Sequence, residues 1–450
     1  MTRGADGASG SLPTTAADPQ MWSDFQALCD LGGRLAGSPR EAAALTWARD
    51  RLAAIPGGIL REHPVDYPGW RCRTAQLTHT GSGEALRCTP LLGTAATAGL
   101  VAEVLDLGPG RPEDFARRAG DIAGRIVMVR HEYPFAPGHV HRRVKLGLAQ
   151  QAGAAGFLIW HPERGIGPVS GSSGRNGGAG IPALGIAAEA ADALRPSRDG
   201  ARPIVRIVID SEDVAAQTRM LVLDLPGRGP DWIVASAHLD GHPLGESAID
   251  NATGVVVALA LARALAPQVA ACPRGLRVCL TSAEEWGLVG SRLWLERMDA
   301  AERQRIRLDI NLDSVGGAAN LTALTSGFAN LDPWIRATAA RAGLPVATHL
   351  PLMANSDHAN FAAHGIPALR LIAGFGSADS HLRLLLTAAD TRDKVRREEL
   401  DAALRVAQAL TWEALRLDEA TLTDLAKRAD EGESSWIERR GSQPRCPQYR

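Results

Sequence analysis

Short apolar runs that alternate with helical patterns are the feature that most constrains the fold of this chain. In its second half the runs are DWIVASA, GLRVCLT, RLDINL and IPALRLIAGF, and helical stretches such as NATGVVVALALARALA separate them. Because each run is apolar at nearly every position, both of its faces must be covered. Strands of this kind separated by helices predict an α/β fold with a largely parallel sheet covered on both sides.

The length of the chain and a change of pattern predict several domains. The chain has 450 residues, which is too many for one simple core. Short β runs with glycine-rich loops replace the earlier helical pattern from about residue 97 and indicate a β-rich inserted domain. The predicted division is a disordered N-terminus over 1–20, the first part of the main domain over 21–96, the insertion over 97–200, the rest of the main domain over 201–420 and a C-terminal tail over 421–450.

Charge and composition weigh against several classes of protein. The net charge of −1 gives no electrostatic reason to bind nucleic acid or an anionic membrane. The first 20 residues have no apolar core like that of a signal peptide, and we find no apolar stretch of 18 residues. The six cysteines are scattered without a CxxC pair, which is typical of reduced thiols. We therefore expect a soluble, cytoplasmic protein without a secretion signal.

Six polar residues follow the carboxyl ends of the predicted strands. They are His238, Asp240, Asp250, Glu284, Glu285 and Asp313. The carboxyl ends of parallel strands share one edge of an open sheet, and binding sites form at that edge. We therefore expect these side chains to meet.

Taken one at a time, these residues have ordinary structural explanations. Asp250 could cap the next helix, His238 could be a hydrogen-bonded core histidine, and Asp313 could cap a turn. Together they place five carboxylates around one histidine, and the nearest cation in sequence is Arg292. Such carboxylates cannot all stay ionised without a neutralising cation. Oxygen and imidazole ligands without thiolate suit zinc, manganese or cobalt, and a shared carboxylate could bridge two ions.

The adjacent pair Glu284 and Glu285 suggests a division of labour. One carboxylate can bind a metal ion while the other accepts a proton from a water as a general base. In the His-x-Asp spacing, His238 can bind the metal and Asp240 can orient the imidazole.

Five sequence blocks occur in an order that resembles a known family. They are AHLDGH, AIDNATGV, SAEEWGLVGS, NLDSVGG and NSDHANFAAHGIPAL. The set resembles the co-catalytic zinc aminopeptidases related to aminopeptidase Y, a family that also contains glutamate carboxypeptidase and the non-peptidase transferrin receptor. Within the insertion, GRIVMVRHEYPF, KLGLAQQAGAAGFLIW and IPALGI are similar to a protease-associated domain.

The resemblance implies a three-layer α/β/α sandwich with a mixed sheet and a zinc exopeptidase that removes N-terminal residues. His238, Asp250, Glu285 and Asp313 would bind two zinc ions with Asp250 bridging them. Glu284 would be the general base, and Asp240 would support His238. The expected substrate is a peptide or small amide, and a homo-oligomer is possible. The alternatives are a hydrolase of small acylated amino acids and a non-catalytic binding protein on the same fold.

The chain departs from the family at one expected ligand. Members have a histidine in a His-Thr-x-x-Asp-Thr pattern, whereas here Leu386 precedes Thr387. His381, five residues before Leu386, is the predicted replacement, His358 is the second choice and solvent is the third.

Two further sets of side chains carry hypotheses. Some family members use a tyrosine to stabilise the oxyanion, and the tyrosines here, Tyr67, Tyr133 and Tyr449, lie outside the predicted strand–helix core. We interpret His131, His139 and His141 as residues of a histidine-rich loop in the insertion, which could overhang the site, rather than as an accessory metal site.

Overall fold

The computed structural model describes residues 18–136, 138–175, 178–196 and 200–429. Most of the predicted disordered N-terminus and the tail from residue 430, with Tyr449 and Cys446, lie outside these ranges. The helices are α1 Met21–Asp30, α2 Pro39–Ala53, α3 Pro112–Arg117, α4 Ala119–Ile122, α5 Arg142–Gln151, α6 Ala188–Ala193, α7 Thr253–Val269, α8 Val289–Arg297, α9 Ala300–Gln304, α10 Leu331–Arg341, α11 His358–Ala363, α12 Arg397–Ala414 and α13 Glu419–Leu425. The strands are β1 Ile59–His79, β2 Ala85–Leu86, β3 Cys88–Pro90, β4 Thr97–Asp106, β5 Ile126–Arg130, β6 Gly156–Trp160, β7 Ala183–Ile186, β8 Ile204–Leu225, β9 Trp232–His238, β10 Gly275–Thr281, β11 Ile306–Leu312, β12 Leu321–Leu324, β13 Ala347–His349 and β14 Ala368–Ala373.

The main domain is built on a mixed sheet with the strand order β13–β12–β14–β11–β9–β10–β8. The central strands β14, β11, β9 and β10 are parallel, whereas β8 runs antiparallel to β10 and β12 runs antiparallel to β14. Helix α7 packs against β9, β10 and β11 and against α12, whereas α8 and α11 pack against each other and against β1 and β14. The predicted α/β/α sandwich is confirmed.

Helix α7 and the turn before it correct one expectation from the sequence. The stretch Ala248–Val269 is 22 residues long and, by length and composition alone, apolar enough to cross a membrane. The prediction that the chain has no such stretch was therefore wrong. In the structure most of this stretch is buried, because α7 lies against the central strands. Like other helices that are buried in a hydrophobic core, α7 is apolar on nearly all sides.

A long two-stranded ribbon, β1 with β8, connects the main domain to the insertion. These strands pair antiparallel from Ile59–Asp224 to His79–Val205. One end of β8 pairs with β10 of the main sheet, and the other end pairs with β4. Strands β4 to β7 are parallel, and the insertion has hydrophobic clusters of its own. The insertion is thus fixed to the main sheet by continuous strand pairing.

Candidate metal centre

The carboxyl end of β9 supplies the imidazole at the centre of the site. His238 is the last residue of β9, and its Nδ1–H donates to the backbone carbonyl of Asp240 at 3.0 Å. This bond fixes the orientation of the ring, so that Nδ1 carries a proton and Nε2 faces the site. The Nε2 atom lies 3.0 Å from Oδ1 of Asp250 and 3.6 Å from Oδ1 of Asp313. We call His238, Asp250 and Asp313 the Asp313 cluster.

The Glu284–Glu285 turn follows β10 and is held by Asp240. The two carboxylate oxygens of Asp240 accept the backbone N–H groups of Glu284 at 3.2 Å and Glu285 at 3.3 Å. Ligand atoms of Glu284, Glu285 and His238 lie within 4.8 Å of one another. The sequence predicted that Asp240 supports His238. Its carbonyl does contact the imidazole, while its carboxylate chiefly orders the glutamates.

Asp250 lies in a distorted turn, Ala248–Ala252, just before α7. The N-cap of α7 is Ala252, and in the described part of the chain Asp250 makes no capping bond to that helix. The buried carboxylate of Asp390 instead accepts the backbone N–H groups of Ile249 at 2.7 Å and Asp250 at 3.2 Å. The side chain of Asp250 is therefore available to the cluster.

Burial and like charge set the ionisation of the site. Burial raises the pKa values of Glu284 and Glu285 well above the ordinary value for glutamate, and neighbouring aspartates raise them further. Burial lowers the pKa of His238, but the surrounding carboxylates, Glu284 first, raise it by more. For Asp313 burial opposes ionisation, yet Arg370 and His238 hold its pKa below the usual range. A divalent ion would relieve the repulsion among these groups.

Two arginines that the sequence did not single out lie at this site. Nη2 of Arg370 is 3.1 Å from Oδ1 of Asp313, and both side chains are buried. Arg142, buried at the start of α5 in the insertion, is close enough to Glu285 for their charges to interact. Arg292, the nearest cation in sequence, pairs instead with Glu296 on an exposed face of α8.

One contact at the site involves a residue that the sequence did not assign. Nε2 of His242 lies 2.6 Å from Oε2 of Glu285, and both side chains are buried. We call these two residues the Glu285 pair. The only signal in the sequence was the second histidine of AHLDGH.

The donor set fits a divalent metal ion. Buried atoms that lack a hydrogen-bond partner among the described residues include Nε2 of His238, both ring nitrogens of His242 and Oε1 of Glu285. Leaving such atoms unpaired in the interior is unfavourable. Imidazole nitrogen and carboxylate oxygen are the ligands that zinc accepts in hydrolytic sites.

Comparison with known proteins agrees with this geometry. Residues 221–411 match Peptidase family M28, and residues 91–194 match the PA domain. The M28 match contains the whole Asp313 cluster and the Glu285 pair. Residues 221–411 of this chain therefore form a peptidase family M28 domain.

Three proteins show the extent of the similarity. The M28 chain is 25% identical over 408 residues to "Aminopeptidase YwaD" of Bacillus subtilis, covering 87% of the chain and 84% of that protein. It is 28% identical over 273 residues to "Probable leucine aminopeptidase 2" of Aspergillus fumigatus, covering 56% of the chain and 52% of that protein. The solved structure of a zinc aminopeptidase from Bacillus subtilis has the same fold, with a TM-score of 0.72 at 23% identity over 92% of this chain and 98% of that one.

The histidines predicted to replace the missing ligand belong to neither group. In this M28 chain Nδ1 of His381 donates to the carbonyl of Lys394 at 2.7 Å. His358 is fully buried at the start of α11 and is close enough to Asp313 for their charges to interact. Both of its ring nitrogens lack a hydrogen-bond partner among the described residues. Neither residue joins a metal-ligand group in the part of the chain that the structure describes, and neither do His131, His139 or His141. The assignment of His381 as a ligand stays a prediction.

The tyrosines differ in position. Tyr67 is 5% exposed and belongs to the main hydrophobic core, so the expectation that it lies outside the core was wrong. Tyr133 of the insertion donates its hydroxyl to the carbonyl of Gly374 at 2.6 Å, one residue beyond β14. The insertion of this M28 peptidase thereby reaches the edge of the sheet that carries the site.

Proposed function

We propose that this chain is a metal-dependent aminopeptidase that uses zinc. The observation that carries the proposal is a cluster of imidazole and carboxylate donors that includes a second, adjacent glutamate. Ligand atoms of Glu284, Glu285 and His238 all lie within 4.8 Å of one another. A site that only bound metal would not need both glutamates. The names of the two curated relatives, each an aminopeptidase, support the same reaction class.

The residues would divide the work as follows. His238, Asp250, Asp313 and Glu285 would hold zinc, which when bound supplies a Lewis acid for the scissile carbonyl and for water. The Glu284 carboxylate would take a proton from the attacking water and deliver it to the leaving amine. Asp240 would keep Glu284 in place through its bond to the backbone N–H. Asp390 would orient Asp250 through the neighbouring backbone.

We also propose that two zinc ions bind. Asp250 supports this because its carboxylate is next to His238 and its charge also acts on Glu285. A carboxylate in that position can serve two ions.

Hydrolysis of aminoacyl 4-nitroanilides by the purified full chain tests the function. We expect turnover by the zinc-loaded protein, loss after treatment with a chelator and recovery when zinc is added. Each substrate is compared with its N-acetylated form, which an aminopeptidase rejects because it needs a free amine. Preferential turnover of the acetylated form would support the small-amide hydrolase. Failure to cleave any substrate while zinc is bound would support the non-catalytic binding protein.

A cytoplasmic location is a further proposal. All five cysteines in the described residues are free thiols, which suits a reducing compartment. Cell fractionation of the native host, with recovery of the chain in the membrane or extracellular fraction, would contradict it.

A further inference from the structure

The position where the family has its last histidine is occupied by an apolar residue that is tied into the structure. Leu386 packs against the main core and against a core of the insertion. Its backbone has a positive φ of 68°, and its carbonyl accepts the N–H of Ser170 at 2.7 Å. This segment therefore connects the two domains, and the side chain of Leu386 has no atom that could bind a metal ion beside Glu285.

His242 provides an imidazole at the same glutamate from another part of the chain. Its side chain is 4% exposed, and Nε2 lies 2.6 Å from Oε2 of Glu285. The pair does not form a hydrogen bond of acceptable geometry, because Nε2 has no bonding partner within the described ranges, and Nδ1 has none either. A buried imidazole aimed at a carboxylate without a bond between them is the arrangement expected of two ligands whose shared partner is a cation.

We propose that His242 is the imidazole ligand of the second zinc ion, together with Glu285 and the bridging Asp250, in place of the histidine that Leu386 replaces. The proposal rests on the proposed zinc site. Two ligands of one tetrahedral zinc have donor atoms roughly 3.3–3.5 Å apart, because each bond is about 2.0–2.2 Å long. The distances within the Asp313 cluster, 3.0 and 3.6 Å, lie around that value. The Glu285 pair needs to open by less than about 1 Å, which a side-chain rotation supplies.

The loop that carries His242 is fixed by backbone contacts. Arg34 is fully buried and donates to the carbonyls of Leu239 at 2.7 Å, Glu246 at 2.9 Å and Ser247 at 3.0 Å. Gly33 fits closely beneath the loop, since a Cβ there would lie 2.4 Å from the carbonyl oxygen of His242. Such a fixed loop presents the imidazole in one direction, as a metal ligand requires.

The test is zinc binding by His242→Ala, with His381→Ala and His358→Ala as matched variants. Zinc per chain is measured by mass spectrometry, and affinity is measured by competition with a chromogenic chelator. We expect two zinc ions in the wild type, in His381→Ala and in His358→Ala. In His242→Ala the second ion should bind at least ~100-fold more weakly, since even residues that only orient a ligand are worth 10–100-fold. Cobalt-loaded protein should lose one of its two sets of visible absorption bands.

Several outcomes would overturn the inference. These are a second zinc that binds to His242→Ala with wild-type affinity, selective loss of that ion in His381→Ala, or a wild type that holds one ion only. If His242→Ala does not fold, His242→Gln replaces it with a side chain of similar size. Peptidase activity is measured separately. A wild type that binds two ions without turnover would defeat the proposed function and leave the assignment of His242 standing.

Discussion

The Asp313 cluster and the Glu285 pair meet where Glu285 approaches His238, but they are assembled differently. The cluster lies at the ends of β9 and β11 and the start of α7, where the sheet itself positions His238 and Asp313. The Glu285 pair depends on the loop between β9 and α7, which the N-terminal segment holds through Arg34. In the proposed zinc site, one half has its ligands on regular structure, whereas the other half takes a ligand from a loop that distant contacts hold in place.

Asp250 should give the largest effect, because in the proposed site it serves both zinc ions. Asp250→Asn keeps the size of the side chain but removes its charge, and we expect loss of zinc at both positions and activity near background. Zinc per chain and kcat/KM measure this. Asp418→Asn is the matched control, since Asp418 caps α13 by accepting the N–H of Thr421 at 2.7 Å and asparagine caps almost equally well. Intact zinc and activity in Asp250→Asn would remove the bridge that joins the two halves.

Glu284 should affect the reaction and leave both halves of the zinc site intact. Glu284→Gln removes the basic carboxylate, and we expect kcat to fall by roughly 10²–10⁴ with zinc per chain unchanged. Glu296→Gln, on the exposed face of α8, is the control and should behave as wild type. Wild-type kcat in Glu284→Gln would show that another group accepts the proton.

A change at Arg34 should affect the Glu285 pair more than the Asp313 cluster, because Arg34 holds the loop that carries His242. Arg34→Lys keeps the charge but cannot reach all three carbonyls, which we expect to lower the free energy of unfolding by on the order of 3 kcal/mol. In the folded protein the second zinc should bind more weakly than the first, because the loop holds His242. Chemical denaturation and zinc titration measure the two effects, and Arg49→Lys on exposed α2 is the control. Equal weakening of both ions would contradict the separate support of the Glu285 pair.

Glu41 should have the smallest effect on the zinc site, and its effect on the free energy of unfolding depends on pH. Its carboxylate accepts the hydroxyl of Ser282, two residues before Glu284, and burial raises its pKa from 4.5 to about 7. Because this carboxyl pKa is higher in the folded protein than in the unfolded chain, protonation of Glu41 stabilises the folded state. This stabilisation is complete below about pH 4.5 and is lost as the pH rises through 7. In the metal-free protein this group should lower the free energy of unfolding by at most about 3 kcal/mol between pH 4.5 and 7.5. Glu41→Gln should not show this decrease. Parallel pH profiles of the two proteins, from urea unfolding, would show that Glu41 titrates normally.

The fold shows which elements a local sequence pattern can predict and which it cannot. The sequence predicted α7 and α12 and the central strands, because apolar periodicity is a property of neighbouring residues. It missed the ribbon of β1 and β8. Much of that ribbon is exposed, so its apolar pattern is interrupted, and its pairing joins residues as far apart as Ile59 and Asp224.

The site divides in the same way. The sequence alone determined that His238, Glu284, Glu285 and Asp313 meet, because residues that follow parallel strands share one edge of the sheet whatever the loops do. Only the tertiary structure decided that His242 faces Glu285, and that Leu386 packs between the core of the main domain and a core of the insertion. The direction of a loop side chain depends on long-range contacts, such as the bond from Arg34 to a carbonyl 205 residues away, and no local pattern encodes them.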